Sequence, residues 1–209
     1  MPKLIVFTAP SGAGKTTLVR HLLSVCDDLR FSVSATTRPI RTGETDGKDY
    51  YFIDKEEFIH RRQQAHFLEW EEVYDGNYYG TLKSEIDRIF AMGKSVIFDV
   101  DVEGAKNIKR EYNDLALTIF VKPPSVETLR RRLVGRGSET DATLLQRLDK
   151  AIQELECEPL FDICLLNDDL NTAKQRALDI VRDFLYPKNL SNNENIPTGE
   201  EFSRLILES

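Results

Sequence analysis

Lys15 and Thr16 close a run of small residues, Ala9-Pro10-Ser11-Gly12-Ala13-Gly14. Small residues let a backbone approach an anion closely, and successive N–H groups in such a turn point inward at it. A lysine at the end of the turn brings an ammonium to the outer oxygens of a polyphosphate. A hydroxyl at the next position is a hard oxygen donor that suits Mg²⁺. The pattern departs from the usual one at its first position, where Ala9 stands for glycine; alanine reaches φ > 0 only at a cost that glycine avoids. The chemistry suggested is nucleotide phosphate binding, with Ser11, Gly12, Ala13, Gly14, Lys15, Thr16 and Thr17 as the contacts.

Two acidic residues, Asp99 and Asp101, follow the apolar run Ser95–Phe98. In parallel sheets, ligands collect at the carboxyl ends of strands. Asp99 is therefore a candidate to bind Mg²⁺ or organise its hydration shell, with Thr16 as the partner ligand. Asp101 has a competing structural reading, as the N-cap of the helix that follows.

These residues need a scaffold, and the surrounding pattern supplies one. Leu4 to Thr8 is short and apolar, as a buried strand should be, and Thr17 to Val25 carries apolar residues at helical spacing. The loop thus lies between a strand and a helix, with the positive end of the helix dipole beside it. Strands are expected at about Lys3–Thr8, Phe31–Ser34, Ser95–Val100, Leu115–Val121 and Phe161–Leu166. Helices fit Lys15–Val25, Val102–Tyr112, Ser125–Val134, Asp141–Glu156 and Thr172–Tyr186, with Ser125 as an N-cap. Alternating strands and helices of this kind favour an α/β fold with a parallel sheet.

Residues 34–92 break the alternation. They hold turn-rich and aromatic stretches and read as an inserted lobe with β-hairpins and a helix near Lys55–Gln64. The Arg136-Gly137-Ser138-Glu139-Thr140 segment joins two helices and reads as a lid, at about 135–141. The Asn-, Glu- and Ser-rich tail, 187–209, reads as flexible.

The 209 residues are 41% hydrophobic and 30% charged, as suits a soluble globular chain, and the net charge of −7 argues against a generic nucleic-acid binder. The longest apolar runs fall short of the ~20 residues of a membrane span, and no leader-like segment is evident, so a cytoplasmic protein without a membrane partner is expected. Cys26, Cys157 and Cys164 lack metal-ligand spacing and read as free thiols. Nothing in the pattern sets the oligomeric state.

Three short blocks in the inserted lobe narrow the reading. They are Phe31-Ser32-Val33-Ser34-Ala35-Thr36-Thr37-Arg38-Pro39, Gly47-Lys48-Asp49-Tyr50-Tyr51-Phe52, and Phe67-Leu68-Glu69-Trp70 through Tyr78-Tyr79-Gly80-Thr81. Together with the phosphate loop they resemble the guanylate kinase family, from about Lys3 to Tyr186. The resemblance implies a P-loop NTPase core (1–33 and 93–186) of parallel sheet flanked by helices. It also implies an inserted mixed α/β GMP-binding lobe (34–92) and a short helical lid. The implied activity is transfer of the γ-phosphoryl group of ATP to GMP, and to dGMP as a secondary acceptor, with Mg²⁺ as cofactor.

On that resemblance, Glu69 accepts from the two N–H groups on one edge of guanine, while Ser34 and Thr81 offer hydroxyls to the base. Arg38, Arg41, Tyr50 and Tyr79 hold the acceptor's phosphate, and Asp101 contacts the acceptor side. Lys15, Arg132, Arg136 and Arg147 act on the donor and transferred phosphates, and Asn167 contacts adenine. His21, His60 and His66 have no role, because the phosphate nucleophile needs no base. A rival is the non-catalytic guanylate-kinase-like domain of scaffold proteins. Such domains typically carry a degraded phosphate loop, whereas Gly14, Lys15 and Thr16 are intact here.

Overall fold

The computed structural model describes residues 1–74, 76–134 and 141–187. The first elements are β1 (Leu4–Thr8), α1 (Lys15–Val25), β2 (Leu29–Phe31), β3 (Ala35–Thr36), β4 (Tyr51–Phe52) and α2 (Lys55–Gln63). Next come β5 (Phe67–Tyr74), β6 (Asn77–Leu82), α3 (Lys83–Ala91), β7 (Ser95–Asp99) and α4 (Val102–Tyr112). The last are β8 (Ala116–Lys122), α5 (Val126–Val134), α6 (Asp141–Leu155), β9 (Ile163–Leu166) and α7 (Leu170–Leu185).

Every residue of β1 is buried. A strand apolar on both faces must be covered on both, which places it inside a parallel sheet. The sheet has five strands in the order β2-β7-β1-β8-β9, with parallel pairing at every step. On one face β1 turns Ile5 and Phe7 toward Leu18, Leu22, Ala173 and Val181 of α1 and α7. On the other, Leu4 and Val6 meet Ile86, Ile89, Ala105 and Ile108 of α3 and α4. The strand alternates faces with period two, and the helices bring apolar stripes to meet each.

The second strand forms at Leu29–Phe31 rather than Phe31–Ser34. Its limits follow its register with β7, Leu29↔Ser95 to Phe31↔Ile97. After Ser32 donates to the Ile97 carbonyl, the chain leaves for a second sheet. That sheet is mixed, in the order β4-β3-β6-β5, with β3–β4 parallel and β5–β6 antiparallel. Its apolar face packs Ala35, Phe67 and Leu82 against Phe58 of α2.

Helix α3 was not anticipated by the strand-and-helix reading, although Ile86, Ile89 and Phe90 have helical spacing. It lies in the 34–92 segment, yet its apolar stripe packs on the parallel sheet. Glu85 on this helix ties the two sheets together. Its buried carboxylate accepts from the Tyr51 hydroxyl (3.0 Å), from Arg88 (2.7 and 2.9 Å) and from the Val33 N–H (3.4 Å). The expected cap of α5 forms, with Ser125 Oγ accepting the Thr128 N–H at 3.1 Å. All three cysteines are free thiols.

Truncating the α3 stripe should loosen the core without touching the phosphate loop. Ile89→Ala should lower the unfolding free energy by about 2–5 kcal/mol. Urea denaturation followed by circular dichroism should show a lower midpoint with an unchanged slope.

Candidate active site

The central strand runs directly into the phosphate loop. Gly14 ends it in the left-handed conformation, φ 99°, and caps α1. A Cβ there would be strained, and it would stand 2.3 Å from Asn167 Nδ2. Asn167, buried just after β9, donates that amide to the Ala13 carbonyl at 2.7 Å. Arg132 of α5 donates to the same carbonyl and to the Asn167 carbonyl, each at 3.2 Å. The loop is thus held from behind by two elements. Ala9 lies outside the positive-φ residues and is buried in the core, so alanine incurs no backbone strain at the position where glycine is usual.

In front of the loop, Lys15 Nζ pairs with Asp99 Oδ1 at 2.7 Å and also donates to the Val100 carbonyl. Thr16 Oγ1 donates to Asp99 Oδ2 at 2.6 Å. Parallel pairing explains this meeting: β1 and β7 run side by side, with Phe7 opposite Asp99. A cavity of about 370 Å³ opens here, bordered by Ser11, Gly12, Gly14, Lys15, Thr16 and Thr17 on one side and by Asp99 and Asp101 on the other.

The second sheet supplies the facing wall. Its registers Glu69↔Thr81 and Glu71↔Tyr79 place four side chains in one patch. A β-bulge between Phe67 and Glu69 makes this possible. Without it, period-two alternation would turn Glu69 to the same face as Phe67, against α2. Thr81 Oγ1, fully buried, donates to Glu69 Oε1 at 2.5 Å. Burial pushes the Glu69 carboxyl up to about 6, against the opposing pull of that hydrogen bond.

Asp101 performs the structural task set out above, since its Oδ1 accepts the Gly104 N–H at 2.7 Å and caps α4. It also borders the cavity. Burial alone would raise its carboxyl, but hydrogen bonds from Glu71 and Gly104 outweigh that and hold it low. Glu71 is raised in turn, chiefly by its hydrogen bond to Asp101 and then by burial. A Cβ on Gly104 would stand 3.3 Å from both Asp101 Oδ1 and Glu69 Oε2, so the missing side chain leaves room for two carboxylates at the start of α4.

Arg38, Tyr50 and Tyr79 gather at the edge of this patch. The Arg38 guanidinium grips Glu44 with two parallel bonds of 2.7 and 2.5 Å, and lies over the Tyr50 ring at 5.0 Å. Tyr50 and Tyr79 meet edge to face at 5.8 Å. The Arg38 hydrogen bonds draw the Glu44 carboxyl down to about 2. Arg41 donates its backbone N–H to Glu44 at 2.9 Å and is exposed. Ser34 borders a cavity of about 270 Å³ together with Tyr50, Glu69, Tyr79, Asp99 and Asp101. A larger cleft of about 640 Å³, bordered by Thr16, Ser34, Tyr50 and Asp99, continues along α1. Asp99 borders all three spaces.

Arg136 and the lid segment 135–140 lie outside the described residues, as does the tail from 188 onward. Of Arg147, only its place in α6 is described. Glu44, Glu71 and Lys150 were missed from sequence. Glu71 was findable, being two residues beyond Glu69 on a strand. Glu44 sits in a turn and carried no such signal.

A parallel sheet with a strand–loop–helix phosphate cradle at its centre, and an acidic strand end beside it, defines a P-loop nucleotide-binding protein. The family model described as guanylate kinase matches residues 1–184. A guanylate kinase of Bacteroides fragilis is 47% identical over 183 residues, covering 88% of this chain and 90% of that protein. One of Porphyromonas gingivalis is 48% identical over 186 residues, covering 88% and 99%. The crystal structure of guanylate kinase from Anaplasma phagocytophilum superposes with a TM-score of 0.67 at 30% identity, covering 87% and 85% of the two chains. The chain belongs to the guanylate kinase family.

The burial of Glu69 makes a thermodynamic prediction. Its folded-state pKa of about 6 exceeds the ordinary 4.5. The neutral carboxyl is therefore favoured by folding, and that stabilisation is complete below pH 4.5 and lost as pH rises through 6. Glu69→Gln removes the titration. In urea melts, the stability of the natural protein relative to this variant should fall by about 2 kcal/mol between pH 4 and 7.5. A difference independent of pH would contradict the assigned burial.

Proposed function

We propose that this protein transfers the γ-phosphoryl group of ATP to GMP, forming ADP and GDP. The observation that carries the reading is the shared wall. The phosphate-loop cavity and the Glu69–Tyr79 cavity are both bordered by Asp99 and Asp101. Two nucleotides bound in them would meet phosphate to phosphate.

The donor side is the loop, with Ser11, Gly12, Ala13, Gly14, Lys15, Thr16 and Thr17 around the phosphates. Asn167 Oδ1 is buried without a hydrogen-bond partner among the described residues. The exocyclic amine of adenine is a donor of the kind it lacks. On the acceptor side, Glu69 takes the two adjacent N–H groups of guanine, with Ser34, Thr81 and Asp101 completing the base contacts. These donors repay the cost of ionising a buried carboxyl. Adenine lacks the donor pair and would leave that carboxylate unpaired, a mismatch that can discriminate by about 10⁴–10⁵.

Arg38, Arg41, Tyr50 and Tyr79 hold the acceptor phosphate. Glu44 fixes the Arg38 fork in advance, so less freedom is lost on binding. The dense hydrogen bonding falls on base and phosphate, and no named residue reads the ribose 2′-hydroxyl, so dGMP is a second acceptor.

Thr16 and Asp99 fit a Mg²⁺ site, because they offer two hard oxygens 2.6 Å apart and leave the other ligands to phosphate and water. When bound, the ion would neutralise charge on the donor phosphates. The acceptor oxygen is already ionised near neutral pH, so no general base is required. Lys15, at the junction, orients and neutralises the transferred group, with Arg132, Arg136 and Arg147 assigned to the same charge. The intact loop, with Lys15 and Thr16 already turned to its cavity, favours an enzyme over a peptide-binding scaffold domain.

The test is ADP formation from ATP with GMP, AMP, CMP or UMP supplied separately. GMP should lead AMP by about 10⁴-fold in kcat/KM; equal activity with AMP would overturn the role of Glu69. Lys15→Met should melt normally and lose transfer by about 10²-fold or more. Near-natural turnover by that variant would remove Lys15 from its role.

A further inference from the structure

Lys150 stands in α6, one turn beyond Arg147. It borders the 370 Å³ cavity of the phosphate loop and also the 270 Å³ cavity that holds Glu69 and Tyr79. Among the described residues, three border both spaces, Asp99, Asp101 and Lys150, and of these Lys150 is the cation.

The charges around this junction favour a further cation beside the arginines already assigned to it. Two nucleotides bring several phosphate charges to a wall that already carries Asp99, Asp101, Glu69 and Glu71. Lys15 is engaged, paired with Asp99 at 2.7 Å and bonded to the Val100 carbonyl. Arg132 donates to two backbone carbonyls behind the loop. Arg38 is held by Glu44. The Lys150 ammonium has one ion-pair partner among the described residues, Glu154, at 4.0 Å, and its side chain is 56% exposed. That distance is the outer limit of an ion pair, and a contact so exposed contributes little. A flexible four-carbon stem then leaves the charge free to follow an anion.

Building on the ATP and GMP reading, we infer that Lys150 is a catalytic residue that contacts the phosphoryl group in transit between the two nucleotides. It adds a second ammonium to the cavity that Lys15 borders. The bond from the γ-phosphorus to the ADP leaving oxygen breaks as the bond to the GMP phosphate oxygen forms. The negative charge spread over the equatorial oxygens during that exchange is what Lys150 stabilises. A lysine placed only to balance Glu154, Asp101 and Glu71 would instead act on the ground state and on stability.

Steady-state kinetics with ATP, GMP and Mg²⁺ separate the two roles, using Lys150→Met and Lys150→Arg. The methionine variant should melt within about 3 °C of the natural protein and bind GMP and ATP within about threefold in calorimetry. Its kcat should fall by about 10²-fold. Lys150→Arg should recover at least about a tenth of natural kcat, because it restores the charge. A kcat within threefold of natural in Lys150→Met would overturn the inference. So would a loss confined to KM, or a loss that Lys150→Arg fails to relieve. Absence of GMP-dependent ADP formation in the natural protein would overturn the ATP and GMP reading itself, so the two failures are distinguishable.

Discussion

The placement of β1 between two parallel partners is the constraint from which this molecule follows. A fully buried strand must satisfy its N–H and C=O groups on both sides, and β7 and β8 do so in register. Where the strand ends in the middle of the sheet, the chain has no further ladder to join. Its backbone amides are free to curl into the phosphate loop, and α1 begins there with its dipole aligned. The same pairing carries the end of β7 to the same level, so Asp99 meets Lys15 and Thr16.

The site proposed for two anionic ligands is bordered by several carboxylates. Glu69, Glu71, Asp99 and Asp101 lie along the two cavities. Each is restrained differently. Asp99 is paired with Lys15, Glu69 is bonded to Thr81, and Asp101 caps α4 while sharing a hydrogen bond with Glu71. The result is a carboxylate held beside a hydroxyl on the second sheet and one neutralised by a lysine at the phosphate loop. The Glu69–Thr81 pair and the Lys15–Asp99 pair stand on walls that belong to different sheets.

The second sheet depends on two devices. The bulge at Phe67/Glu69 lets one strand serve an apolar floor and a polar wall in succession. Glu85, buried and four-times bonded, joins Tyr51 and Val33 to α3, which itself packs on the parallel sheet. This buried carboxylate is satisfied on both oxygens, as a charge away from water must be.

Much of this was legible in the chain. The phosphate loop, the alternation of elements and the blocks around Ser34, Tyr50 and Glu69 depend on local spacing, and spacing survives in one dimension. The strand at Leu29–Phe31 was misplaced because its limits follow the register with β7, which no local pattern encodes. Glu44 was invisible because its role is a grip on Arg38 across a turn. The cap at Asp101 could be read, but its bond to Glu71 could not. Sequence alone determined which residue types are present and which elements carry them. Only the tertiary structure decided which side chains meet, because parallel strands distant in sequence end at one edge, and charge and burial act through space rather than along the chain.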